Sequence, residues 1–338
     1  MTVAELFNWL CVTFALVSVT HCEYRIKLDA IYNAFQQNVG FSARIWIGNS
    51  NKALNVLLDT TTPLLWVAGS ECRQFFEIQS CTSKRGYLSS ESTRYRANSP
   101  SKTFTFSSEE QYLIASQVSN NITIELTSRE KLKFVNSVFN IPEYIIWSRW
   151  TTDYEKLDGV LGLVFTNISS NFTDNPIKQV IQKTEIEPII TLALPPKESN
   201  VIPVLTLGAI DHSLCDSRIR TSEMVSSLEN RYNFNYSSIS VGNATFSFTK
   251  WKKIAYIHAS SLFITVPKEL MQEIVKNLDA EDLGNCTLAI KSEWNSFATV
   301  TLGIPFLNQY CAVMEPTAQR ITFLPMKKNF MREFANSP

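Results

Sequence analysis

The feature that most constrains this chain is that it repeats itself. Leu58–Val67 reads Leu-Asp-Thr-Thr-Thr-Pro-Leu-Leu-Trp-Val, and Ile257–Val266 reads Ile-His-Ala-Ser-Ser-Leu-Phe-Ile-Thr-Val. Each copy is an apolar strand end, a polar side chain, three small residues and a second apolar strand. An echo follows each copy: Gly159-Val160-Leu161-Gly162-Leu163 after the first, and Thr301-Leu302-Gly303-Ile304-Pro305 after the second. A pattern used once per half predicts two related lobes facing each other. With 338 residues, 45% of them apolar, the chain is long enough to bury a large core. No Gly- or Ser-rich linker divides the halves. The boundary is expected near Glu187–Leu194, with an N-terminal lobe over 23–190 and a C-terminal lobe over 191–338.

Between regularly spaced turn residues lie short runs rich in β-branched and aromatic side chains. They are Ala43–Ile47, Leu54–Leu58, Leu64–Ala68, Ile122–Leu126, Ile189–Leu194, Val204–Leu207, Phe246–Phe248 and Arg320–Leu324. This predicts a mostly-β protein. Two helices stand out. Asn175 caps and Pro176 opens a segment with Ile177, Val180 and Ile181 on one face. Pro267 opens another, in which Leu270, Met271, Ile274, Val275 and Leu278 follow helical spacing. Both are read as packing elements.

Residues 1–22 contain a short apolar run, Leu10–Val19, followed by small residues suited to cleavage after Thr20 or Cys22. The run is too short to span a bilayer, so it is read as a secretory signal peptide, with a buried N-terminal helix as the alternative. No later stretch is long and apolar enough for a transmembrane helix. Six Asn-x-Ser/Thr sequons, at Asn121, Asn167, Asn171, Asn235, Asn243 and Asn285, fit a glycosylated surface. Five cysteines lie beyond the signal: Cys72, Cys81, Cys215, Cys286 and Cys311. An oxidising compartment pairs four and leaves one over, and Cys72 and Cys81 are close enough to staple one loop. The expected location is extracellular, with a lysosomal or other endomembrane compartment as the alternative. The formal net charge of zero argues against nucleic acid or an acidic membrane surface as partner. His and Cys spacings match no zinc template, and neither a metal nor another cofactor is called for.

Five segments, in order, resemble the pepsin family of aspartic proteases. Leu57-Leu58-Asp59-Thr60-Thr61-Thr62, followed by Trp66-Val67, resembles the first catalytic motif, apolar-Asp-Thr-Gly-Ser. Ile45-Trp46-Ile47-Gly48 resembles the strand and turn leading into it. Asp158–Leu163 is similar to the family's Asp-Gly-apolar-Leu-Gly-Leu, Leu207–Asp211 to its Phe-Gly-Gly-Ile-Asp turn, and Leu302–Tyr310 to its Leu-Gly-Asp-x-Phe-Leu-Arg-x-Tyr segment. The resemblance implies a bilobal β fold with a cleft between two barrel-like lobes. It also implies a mechanism in which two Asp side chains, one per lobe, share a proton and hold a water. Their like charges push the two pKa values apart, giving one base and one acid.

Only Asp59 matches that pair. His258 stands at the second position, and an imidazole beside a carboxylate forms an ion pair in place of a shared proton. Losing one acid–base partner removes about 10²–10⁴ in rate. The family's glycines after each Asp-Thr are Thr61 and Ser260 here, and the second, lobe-bridging Thr is Ala259. The flap candidate Phe106-Ser107-Ser108-Glu109 lacks the family's phenol and glycines. By the same resemblance Cys286 has lost its usual partner, leaving Cys215 to pair with Cys311. Little room for a prosegment lies between residue 23 and the first lobe strand, expected near Phe41. Thr60, Thr61, Phe106, Ser107, Ala259 and Ser260 are the residues expected to line the cleft beside Asp59 and His258. Trp66 is read as core, Lys252 and Lys253 as an exposed strand end, and His212 as a surface-turn residue. His258 is read as a tolerated replacement at an inactive site, against the alternative of a base paired with Asp59. The expectation is a monomeric pseudoprotease whose cleft takes a peptide or protein segment. The alternatives are an altered endopeptidase and a structural glycoprotein without ligand.

Overall fold

The computed structural model describes residues 23–69, 86–87, 96–97, 102–106, 111–146, 154, 156–164, 176–183, 186–218, 221–225, 232–241, 244–247, 253–277, 289–293 and 299–327. The strand Asn38–Ile47 pairs with Leu54–Asp59 on one side and with the long strand Gln111–Glu125 on the other. Gln111–Glu125 in turn pairs with Lys131–Ile146, which reaches Leu65–Val67 through Trp66 and Asn140. Leu65–Val67 and Leu54–Asp59 flank Gly159–Gly162, so the sheet closes on itself as a barrel. Closure removes the free edges of an open sheet. Alternation along these strands sends Phe41, Ile45, Val56, Leu58, Ile122 and Phe139 inward, all fully buried.

The second half builds the same local topology. Gly159–Gly162 lies parallel to Leu54–Asp59 and antiparallel to Leu65–Val67. Thr299–Leu302 lies parallel to Ile254–Ile257 and antiparallel to Ile264–Pro267. The repeat read in the sequence is therefore a repeat of structure. Two glycines carry it: a Cβ on Gly162 would stand 2.2 Å from the Thr62 carbonyl oxygen, and one on Gly303 would stand 2.2 Å from that of Phe263. At both places strand and loop backbones approach too closely for any side chain.

A six-stranded antiparallel sheet completes the frame, in the order Tyr24–Lys27, Val204–Leu207, Ile190–Ala193, Tyr310–Glu315, Arg320–Pro325 and Thr221–Met224. The first strand begins at Tyr24 rather than near Phe41. Tyr24–Lys27 pairs with Val204–Leu207, and it also bonds to the first half, with the Thr127 N–H donating to the Arg25 carbonyl at 2.8 Å. Arg25 reaches buried Asp211 at 2.9 Å, and Asp211 also accepts from the Thr206 hydroxyl and the Ser213 N–H. Buried carboxylates persist where they are paired and hydrogen-bonded, as here.

Both helices form where the apolar spacing placed them, over Pro176–Lys183 and Lys268–Asn277. Pro267 ends the strand Ile264–Pro267 instead of opening the helix. Its fixed φ and missing N–H suit that junction as well as a first helical turn. Trp66 is core, at 2% exposure, and His212 sits in an exposed turn. Lys253 gives its ammonium to the Ser237 carbonyl at 3.0 Å, while Lys252 lies outside the described residues. Cys215 and Cys311 form a disulfide, as the resemblance implied, and both are buried. Cys72, Cys81 and Cys286 lie outside the described residues, as do Asn167, Asn171, Asn243 and Asn285. Asn235 is exposed, and half-buried Asn121 accepts the Asn136 N–H at 3.2 Å. Among the described residues no helix is long and apolar enough to cross a membrane.

Candidate active site at the lobe interface

The strand Leu54–Asp59 delivers Asp59 to the bottom of its loop. The Asp59 carbonyl takes the Leu163 N–H at 2.7 Å, and the Thr62 carbonyl takes the Val164 N–H at 3.1 Å. The second loop is fixed the same way. The His258 N–H donates to the Leu302 carbonyl at 3.0 Å, and the Ile304 N–H donates to the Ser261 carbonyl at 2.8 Å. Each functional side chain thus leaves a backbone pinned by the inserted strand of its own half.

One hydroxyl joins the two loops. Thr60 Oγ1 donates to the Ile257 carbonyl and accepts the Ala259 N–H, each at 3.0 Å. It therefore grips the residues on both sides of His258 and sets the Asp59 loop against the His258 loop. Ala259 has no hydroxyl to return the contact, so the bridge made by these side chains is one-sided. A second tie comes from Tyr154, which is wholly buried. Its hydroxyl faces the Val39 carbonyl at 2.9 Å and the Ser260 carbonyl at 3.3 Å. A lone tyrosine in a loop carries no periodic signal, and sequence reasoning missed this contact.

The two functional side chains are deeply placed, Asp59 at 1% and His258 at 5% exposure. Asp59 Oδ1 accepts both the Thr61 N–H and the Thr61 hydroxyl, each at 2.8 Å. His258 Nε2 and Ser260 Oγ are 3.0 Å apart. Neither Thr61 nor Ser260 adopts a positive φ. The backbone at these two positions therefore accepts a side chain without strain. Asp59, Thr60, Thr61, His258, Ala259 and Ser260 are all buried, and the Thr60 hydroxyl brings the two loops that carry them together. Phe106 ends one arm of a hairpin, Lys102–Phe106 against Gln111–Ala115, with its backbone paired to Gln111. Ser107 lies outside the described residues.

These features define a class of protein: a two-lobed, mostly-β, pepsin-like fold with one loop from each lobe meeting at the interface. The sequence profile of the family described as eukaryotic aspartyl protease matches residues 40–319, and the chain belongs to that family. Vacuolar protease A of Neurospora crassa is 23% identical over 278 residues, covering 79% of this chain and 60% of that protein. Aspartic protease 6 of Caenorhabditis elegans is 22% identical over 333 residues, covering 84% of this chain and 81% of that one. The chain thus spans less than two thirds of the first relative's length.

Proposed function

We propose that this chain is an aspartyl protease homologue that has lost hydrolysis and keeps the cleft between its lobes as a binding surface for a peptide or protein segment. One observation supports this above the rest. His258 occupies, in a loop built like that of Asp59, the position where the family's reaction needs a second carboxyl. Two like carboxyls can share a proton and orient a water between them. An imidazole cannot share a proton with Asp59 in that way, and its Nε2 is already engaged by Ser260. The decisive assay is cleavage of an internally quenched peptide library from acid to neutral pH. The reading fails if the wild-type chain shows activity that pepstatin blocks and Asp59→Ala abolishes.

In the competing reading Asp59 and His258 form an altered endopeptidase working nearer neutral pH. That reading needs any measured activity to vanish in His258→Ala. A glycoprotein without a ligand is separated from both by saturable peptide binding. We further propose that the chain enters the secretory route, loses residues 1–22, and acts outside the cell or in a vacuolar or lysosomal compartment. The buried Cys215–Cys311 disulfide and the exposed sequon at Asn235 support that route.

A further inference from the structure

Of the six sequons, Asn121 and Asn235 fall among the described residues, and the first stands in a place shaped around its side chain. Ile122 and Ile124 are fully buried, so alternation along Gln111–Glu125 sends Asn121 and Thr123 to the outer face of the first barrel. The opposing strand, Lys131–Ile146, carries one extra residue there. Asn120 pairs with Ser137 and Ile122 with Phe134, so Asn121 faces both Val135 and Asn136. Asn136 takes a left-handed φ of 52°, a conformation that asparagine tolerates better than most side chains. This bulge aims the Asn136 N–H at Asn121 Oδ1, 3.2 Å away. The backbone of Asn121 is fixed as well. Its N–H donates to Asn120 Oδ1 at 2.8 Å, and its carbonyl takes the Gly48 N–H at 2.8 Å. The side-chain amide is therefore held by its oxygen, and its nitrogen, the atom to which an N-glycan is joined, is the other arm of the same plane.

Apolar surface lies on either side of that amide. Val135, which faces Asn121 across the ladder, is 52% exposed. Trp46 pairs with Thr123 and so stands diagonal to Asn121 on the same face. It is half-buried, with the Lys131 ammonium 3.7 Å from its ring centroid. Diagonal cross-strand neighbours lie about 7–8 Å apart, within reach of an aromatic side chain. A sugar ring presents C–H groups on its faces and hydroxyls at its rim, so it can cover a valine and an indole edge while its hydroxyls stay in water. We propose that Asn121 carries an N-linked glycan whose first N-acetylglucosamine packs on Val135 and Trp46 and shields the outer face of this hairpin. The proposal rests on the secretory route given above and adds to it a modified residue and a contact surface for the sugar. Asn235, exposed on the strand Asn233–Asn235 of the second half, serves as the reference sequon.

The test expresses the chain in a cultured eukaryotic host, once with its own residues 1–22 and once with a leader of known function in their place. Glycans are released enzymatically in ¹⁸O water, which converts each glycosylated Asn to labelled Asp, and the peptides are read by mass spectrometry. The label is expected at Asn121 and should vanish in Thr123→Val, which breaks the sequon and keeps a β-branched side chain in the strand. An unlabelled Asn121 behind the known leader overturns the proposal, and a label at Asn235 in the same sample leaves the secretory route standing. Retention inside the cell with the native leader, beside a labelled Asn121 with the known one, refutes the route and leaves the site. The contact is read by melting. Trimming every glycan to its first sugar should leave Tm unchanged, whereas Thr123→Val should lower it by about 2 °C. In a Val135→Ser background the same Thr123→Val change should cost less than half as much. No loss of Tm in Thr123→Val, or an undiminished loss in the Val135→Ser background, overturns the packing of the sugar on this face.

Discussion

The Thr60 hydroxyl ties the Asp59 loop to the His258 loop, and its removal has a calculable cost. Thr60→Val keeps the shape of the side chain and deletes both bonds that Oγ1 makes, to the Ile257 carbonyl and from the Ala259 N–H. The residue is 1% exposed, so no water replaces them cheaply. Leaving the Ala259 N–H unpaired costs about 1–3 kcal/mol, and the lost bond to the Ile257 carbonyl adds about 0.5–1.5 kcal/mol. The total is roughly 1.5–4.5 kcal/mol, on the order of 2–7 °C in Tm for a chain of this length. Thr60→Ser keeps the hydroxyl and sheds one methyl group, and should cost about 1 kcal/mol. The assay is urea unfolding of the mature chain followed by tryptophan fluorescence, with the two variants side by side. If Thr60→Val lies within about 0.5 kcal/mol of wild type, or if Thr60→Ser is as damaging as Thr60→Val, the bridge is not what holds the loops together.

Three further outcomes follow from the frame. Replacing both Cys215 and Cys311 by serine opens a crosslink between residues 96 apart and should cost about 2–5 kcal/mol, read as a lower urea midpoint. Gly303→Ala and Gly162→Ala each drive a Cβ to within 2.2 Å of a backbone oxygen; each should lose about 3 kcal/mol or more, and a wild-type melting curve for either would contradict the twofold design. The Asp216 carboxyl is held down to about 2 by hydrogen bonds from Arg218. Its folded value is depressed, so the pair persists above the ordinary carboxylate range and is lost as pH falls through about 2. A carboxyl NMR titration should show that midpoint, and Arg218→Ala should return it toward about 3.9.

The parts of the fold legible in the sequence were those encoded locally. The repeat located both functional loops because a strand, a polar residue, three small residues and a strand form a contiguous signal. The helix at Pro176–Lys183 was legible for the same reason. The sheet joining Tyr24–Lys27 to Val204–Leu207 was not, because alternation along a strand says nothing about its partner. The strand Tyr24–Lys27, Tyr-Arg-Ile-Lys, has little apolar character of its own, so the sequence marks a first strand only near Phe41. At the site the identities Asp59, His258, Thr61 and Ser260 are all legible, but the sequence marks the last two only as departures from the family's glycines. That their hydroxyls point back onto the functional side chains depends on loop conformation, which no spacing rule supplies.

The glycines themselves show which constraints the chain has kept. Gly162 and Gly303 sit where a Cβ would collide with backbone, so replacing either would disrupt the inserted strand that pins its loop. Thr61 and Ser260 sit where φ is not positive and a side chain fits. In the resemblance those two positions are also glycines, so four glycines serve two purposes. The pair that the architecture requires is present in this chain. The pair that fold geometry leaves free now carries hydroxyls bonded to Asp59 and His258.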